Sequence, residues 1–188
     1  MIKAFLQSFG FLTPQDIDDL MQRLQPLVLQ KKEYLTQIGQ VERRVGFVQS
    51  GILRSFYYAD NAEEVTYCML FPGNFVSAYS SYITGQPTEE SIQAITEVEL
   101  LTISKTDLEE LSAGNIRWIN FLRIMAERNY VEQEERIFRL QRSSALDRYT
   151  KLVAEQPKYA QQIPLRYLAS YLGVTQRHLS RIRNQLAN

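Results

Sequence analysis

The chain is poor in the side chains on which metal and redox chemistry depend. It has one cysteine, Cys68, and one histidine, His178, among 188 residues. A single residue of each kind cannot assemble a zinc or iron–sulfur site, and a lone cysteine cannot close an internal disulfide. His178 stands near the C-terminus, so no Ser-His-Asp or metal-histidine arrangement can form elsewhere. The expectation is a protein that is not an enzyme and carries no cofactor. Cys68 lies in the apolar run VTYCMLF and is expected to be a buried small hydrophobe, with a redox-sensing thiol as the alternative. Long apolar runs are missing too. No stretch approaches the ~20 residues of a membrane span. The start MIKAFLQSFGFL lacks a signal peptide's apolar region and small-residue cleavage site. A cytoplasmic protein with no membrane partner is expected.

Net charge is zero, with 21 basic and 21 acidic residues. That average conceals a division. Residues 1–135 carry 11 Lys and Arg against 19 Asp and Glu, a net of −8, whereas residues 136–188 carry 10 against 2, a net of +8. A basic C-terminal third is the electrostatic footprint of a nucleic-acid-binding module. The acidic remainder is unsuited to phosphate.

The most informative stretch is Ile163 to Asn188, IPLRYLASYLGVTQRHLSRIRNQLAN. Its pattern predicts two short helices, Pro164 to Leu172 and Gln176 to Leu186, about a turn at Gly173, Val174 and Thr175. Pro164 suits a first helical turn, Gly173 can take positive φ where a helix must stop, and Thr175 can cap the next one. Ala169 is small enough for close crossing. Leu168, Leu172, Val174, Leu179 and Ile182 fall where two such helices would touch. This is a helix-turn-helix pattern. At about 100° per residue the second helix puts Leu179, Ile182 and Leu186 on one face and Arg177, Ser180, Arg181 and Asn184 on the other. Arginine can bond a guanine edge or a phosphate, and asparagine an adenine. The expected partner is double-stranded DNA. An ordinary solvated helix hairpin is the bland alternative.

Toward the N-terminus, residues Met1 to about Leu29 are read as helical. Thr13-Pro14-Gln15-Asp16 is a start signal, followed by the stripe Ile17, Leu20, Met21 and Leu24. From Val28 to Ser104 short runs rich in Val, Ile, Tyr, Phe and Thr are punctuated by turn residues, which predicts an antiparallel barrel or sandwich. Ser104 starts a further helix, with a second start near Asn115. The stretch from there to about Arg142 has no proline or glycine. Its Ile119, Leu122, Ala126, Asn129, Gln133, Ile137 and Leu140 recur at spacings of three and four, as in a coiled-coil seam. A homodimer is expected, because a reader with one short helix uses two-fold symmetry to engage two half-sites. Packing on its own β domain through Trp118, Phe121 and Met125 is the alternative. Another helix is expected from Ser143 to about Pro157.

The order helix, β barrel, long helix, helix-turn-helix resembles the Crp/Fnr family of bacterial transcription regulators over nearly the whole chain. The motifs that carry the likeness are FVQSGILRSFYY around Gly51, the FPGNFVS turn, the ITEVELLTIS strands and LASYLGVTQRHLSRIRNQL. The resemblance implies an α+β chain. Residues 1–104 would form a cyclic-nucleotide-binding-like sensor domain, a double-stranded β-helix or jelly-roll-like β-roll with flanking helices. Residues 105–142 would form a dimerisation helix, and residues 143–188 a helix-turn-helix DNA-binding domain. It implies further that Gln176, Arg177, Ser180 and Arg181 read bases and that Thr175, Arg183 and Arg166 hold phosphates. The β-roll would bias the reading domains through the long helix, and RNA polymerase is a candidate partner.

The departures matter as much. Where cyclic-AMP-binding members have a Gly-Glu pair and an Arg-Ser pair, this chain has Ser77-Ala78 and Thr88-Glu89, followed by Glu90. A cyclic phosphate needs cationic donors, so cyclic AMP is not expected to bind in the usual way. Ser77, Ser80, Ser81, Tyr82 and Thr88 form a candidate pocket for an unknown small-molecule effector, with ordinary turn and surface residues as the alternative. Gln176-Arg177 stands where those members carry Arg-Glu, which implies a different target site. A wing strand after the second helix is expected to be short or missing. The rivals are a small-molecule-binding β-barrel with a helical tail and a protein-interaction module whose basic helices meet an acidic partner.

Overall fold

The computed structural model describes residues 1–187; the last residue of the expected DNA-binding segment, Asn188, lies outside them. The chain opens with α1 (Ile2–Gln7) and α2 (Pro14–Arg23). The start of α2 is a full capping box. Asp16 N donates to Thr13 Oγ1 (3.2 Å) and Thr13 N donates to Asp16 Oδ2 (2.8 Å), with Pro14 in the first turn.

Eight strands follow: β1 (Gln25–Leu29), β2 (Tyr34–Thr36), β3 (Arg44–Ser50), β4 (Leu53–Tyr58), β5 (Glu64–Leu70), β6 (Phe75–Val76), β7 (Ser91–Ala94) and β8 (Val98–Ser104). The short helix α3 (Tyr79–Thr84) interrupts them after β6. They form two antiparallel four-stranded sheets, ordered β1-β8-β3-β6 and β2-β7-β4-β5. The first strand corrects the sequence-based expectation of helix to Leu29. Pro26 cannot continue a helix, and residues 25–29 find a partner in β8, on an edge where a missing N–H is tolerated.

Alternation along the strands sorts side chains into three cores. Leu35, Val48, Leu53, Ile92 and Leu100 fill the space between the sheets. On the outer face of the first sheet, Phe47 and Ile103 pack under α1, α2, α4 (Lys105–Ser112) and α5 (Ile116–Arg142), meeting Leu6, Ile17, Leu111, Trp118 and Phe121. The outer face of the second sheet presents Ile52, Met69, Phe71 and Ile95 to the C-terminal helices α6 (Ala145–Glu155), α7 (Pro157–Ala160), α8 (Leu165–Tyr171) and α9 (Gln176–Ala187). No helix among the described residues is long and apolar enough to cross a membrane.

Asp16 joins the first layer to the long helix. Its carboxylate accepts from Arg117 Nε (2.6 Å) and Asn115 Nδ2 (2.8 Å) as well as from its own cap. Arg117 first, then the Thr13 and Asn115 donors, hold this buried carboxyl far below the usual aspartate range, against the opposing effect of burial. A depressed folded pKa gives stability that is complete above the unfolded value and is lost as pH falls below about 4. Asp16→Asn is therefore expected to destabilise the fold at neutral pH, with the difference from wild type shrinking as pH drops through that window. Urea unfolding at about pH 7 and about pH 3 measures it.

Candidate functional site

The exposed basic surface is built by α8 and α9. Gly173, at φ +67°, turns the chain between them, and a Cβ there would lie 3.4 Å from Leu140 Cδ2 of α5. Thr175 Oγ1 accepts from His178 N (3.2 Å) and caps α9. Leu168, Ala169, Leu172, Leu179 and Ile182 are buried where the helices meet. Gln176, Arg177, Ser180, Arg181 and Asn184 are exposed along the opposite face of α9. Arg183 is not among them. It is half-buried, with its guanidinium carbon 5.6 Å from the centroid of the Tyr149 ring of α6.

Two arginines fix this unit to the long helix. Arg148 donates from Nε (3.0 Å) and Nη2 (2.8 Å) to Leu172 O and from Nη1 to Ser143 O, which ties the end of α8 to the residue after α5. Arg136 donates to Tyr171 O (3.2 Å) and covers the Tyr171 ring. The Ser144–Asp147 capping box starts α6 directly after Ser143.

Along α5 the structure splits the expected dimer seam. Ile119 and Ile137 are 48% and 54% exposed. Together with exposed Ile116, Tyr130 and Phe138 they form an exposed apolar stripe that none of the described residues covers. Leu122, in contrast, packs with the first-sheet core, and Ala126, Asn129 and Gln133 line a cavity between α5 and the β-roll. A 27-residue helix has two faces to bury, and the sequence periodicity merged them.

That cavity measures about 660 Å³. Its lining combines the apolar Phe5, Phe47, Phe75 and Trp118 with the polar Ser55, Tyr67, Glu90, Arg128, Asn129 and Glu132. A second cavity of about 290 Å³ adjoins it, sharing Tyr67, Ser80 and Glu90 and adding Ser81, Thr88 and Glu89. The effector residues expected from sequence are thus divided. Ser77, Ser80 and Tyr82 line the larger cavity, while Ser80, Ser81 and Thr88 line the smaller. Ser81 and Ser77 already have structural bonds: Ser81 Oγ donates to Gln86 O (2.5 Å) and accepts from Glu42 N (3.0 Å), and Ser77 Oγ donates to Arg44 O (2.9 Å).

The sequence reading missed Tyr67 and Glu90 as wall residues. The β4–β5 register slips between Ser55 and Phe56, leaving Tyr67 as the extra residue, and bulges of this kind re-aim a side chain. Tyr67 donates its hydroxyl to Glu90 Oε2. Burial raises the Glu90 carboxyl above the usual range despite that bond, and burial followed by the Glu90 charge raises the Tyr67 hydroxyl. Burial also pushes the thiol of half-buried Cys68, on the same wall, up to about 11, which disfavours its thiolate at neutral pH. The smaller cavity is lined by Glu89 and Glu90 and, among the described residues, by no lysine or arginine, so it offers a bound phosphate no cation. Among the described residues no group of three or more His, Cys, Asp or Glu converges as a metal site.

Residues 26–115 match the family model of the cyclic nucleotide-binding domain. Several solved structures share the fold over most of the chain. FixK2 from Bradyrhizobium japonicum superposes with a TM-score of 0.76 at 19% identity, covering 87% of this chain and 84% of that one. The c-di-GMP responsive global regulator CLP from Xanthomonas campestris gives 0.71 at 16% identity over 93% and 92%. The catabolite activator protein of Thermus thermophilus gives 0.60 at 22% identity over 95% and 85%. No curated protein sequence matches the chain.

Proposed function

We propose that the chain is a dimeric, sequence-specific DNA-binding transcription regulator of the Crp/Fnr type, with α8 and α9 as its helix-turn-helix and the β-roll as its sensor. The observation that carries this is the capped, exposed face of α9. Arg177, Ser180 and Arg181 project from a helix whose other side packs through Leu179 and Ile182, so their chemistry is free for a ligand. Arg177 and Arg181, with Gln176 and Ser180, read base edges in the major groove, and Asn184 extends the same face. Thr175 Oγ1 caps the helix by accepting from His178 N, which leaves its hydroxyl proton to donate to a phosphate oxygen. Arg183, held against Tyr149, supports the helix more than it reaches phosphate. RNA polymerase is the candidate partner once DNA is bound.

Selection of bound sequences from a random DNA pool tests this. A two-fold-symmetric site with half-sites roughly one helical turn apart is the expected product. Only weak, unselective, salt-sensitive retention would count against sequence-specific reading.

Dimerisation through the open stripe of α5 has its own check. Ile119→Glu with Ile137→Glu places charge on that stripe without touching the β-roll core. Sedimentation is expected to show a dimer for wild type and a monomer for the double variant.

The sensor in this proposal responds to something other than cyclic AMP. With Glu89 and Glu90 where the phosphate would lie, and no arginine among the residues lining the smaller cavity, calorimetry with cyclic AMP is expected to show no binding.

A further inference from the structure

Sensor and reader share the core built on Ile52, Met69, Phe71 and Ile95, and beside it lies one unusual residue. Arg54, on the outer face of the second sheet, is 1% exposed. Its Nε and Nη2 donate to Gln93 Oε1 (3.1 and 2.8 Å), Nη1 to Thr66 Oγ1 (3.3 Å) and Nη2 also to Glu64 Oε2 (2.6 Å). The guanidinium lies 3.9 Å from the centroid of the Phe56 ring and 3.6 Å from that of Tyr167, which belongs to α8. Beside it, Thr66 N donates to Ser170 Oγ of α8 (2.9 Å). A buried arginine is costly unless its donors are satisfied, and here the β-roll satisfies them while α8 closes the lid.

We propose that this contact is an autoinhibitory latch that holds the helix-turn-helix on the sensor sheet in a setting of low DNA affinity; the proposal rests on the DNA-reading assignment above. In a helix-turn-helix complex the first helix crosses the DNA backbone. Here that helix is α8, and its exposed arginine is already engaged. Arg166 Nη2 donates to Tyr167 OH (2.5 Å), and its guanidinium carbon stands 4.4 Å from the Tyr167 ring centroid. Glu64, whose carbonyl lies 3.5 Å from Ser170 Oγ, and the hairpin residues Asp60 and Glu63 set carboxylates on the strand pair that α8 rests against. These would repel phosphates. Opening the latch moves α8, and Arg166 with it, away from the acids.

The same strands connect the latch to the larger cavity. Ser55 and Tyr67 line that cavity, and each is one residue from a latch partner, Arg54 and Thr66. A ligand that shifts the Tyr67 bulge shifts the Thr66 amide with it. Coupling follows if the ligand prefers one of the two settings.

The test uses the full chain with Tyr167→Leu, which breaks the latch from the reader side, and Arg54→Met, which breaks it from the sensor side. Two quantities are read: hydrogen exchange at the Thr66 amide, and affinity at low salt for fluorescein-labelled duplexes of mixed sequence, about 30 base pairs or roughly three helical turns long. Both variants are expected to exchange Thr66 faster and to bind DNA about fivefold tighter or more. Should Arg54→Met fail to fold, Tyr167→Leu still gives the answer. Faster exchange with equal or weaker affinity overturns the inhibition. Unchanged exchange overturns the latch. Absence of DNA binding by wild type and opened variants alike sinks the DNA-reading assignment, and the latch with it.

Discussion

Arg177→Ala and Arg181→Ala are each expected to weaken binding to the selected DNA site by about 1–3 kcal/mol, or roughly five- to 150-fold. Both side chains are exposed on α9, away from the buried Leu179 and Ile182, so truncation leaves the helix packing intact. Thermal unfolding should therefore be unchanged within a degree or so, since surface substitutions usually stay within about 0.5 kcal/mol. Repeating the selection separates two roles. A base-reading arginine relaxes the preference at one defined position in each half-site. A phosphate-holding arginine weakens all sequences alike and lowers the salt dependence of binding by about one ion per site. Arg183→Ala provides the contrast: it removes the stacking on Tyr149 and should cost stability before it costs selectivity.

The largest effect on folding is expected from Gly51→Ala. Gly51 stands between β3 and β4 at φ +85°. A Cβ built on it would lie 2.1 Å from Glu97 O and 2.9 Å from Val98 Cα, both backbone atoms at the start of β8. Left-handed backbone costs an ordinary residue about 1–2 kcal/mol. The overlap adds roughly 1–3 kcal/mol or more, because two paired strands would have to move apart. A fall in Tm on the order of 10 °C is expected in calorimetry. Gly85→Ala is the control. Its φ is similar at +71°, yet nothing lies within 4 Å of the added atom, so only the conformational cost of about 1 kcal/mol should appear.

Gly51 illustrates how far a sequence reaches. Its place in a turn is legible from the residues around it, since apolar strands on both sides leave a glycine as the natural corner. The Glu97 carbonyl that makes it irreplaceable is brought there only by the pairing of β3 with β8. The Thr13 and Ser104 caps, the Asn115 start of α5 and the Gly173–Thr175 turn are legible in the same way. Each depends on atoms within a few residues, such as the Ser104 Oγ that accepts from Asp107 N.

What the amino-acid sequence determined by itself is where most helices start and the chain turns, and the polar face of α9, because caps, turns and periodicity are short-range physics written in neighbouring residues. Tertiary structure alone decided the rest. It turned residues 25–29 from a helix end into an edge strand, because β8 offered hydrogen bonds that a Pro26-broken helix could not. It divided one stripe on α5 between a cavity wall and an open face, and it aimed Tyr67 at Glu90 through a one-residue slip. It buried Arg54, a residue whose type alone argues for the surface, by bringing Gln93, Glu64 and Tyr167 around it from three separate elements. Such outcomes depend on which surfaces meet across long stretches of chain, and local propensity carries no information about that.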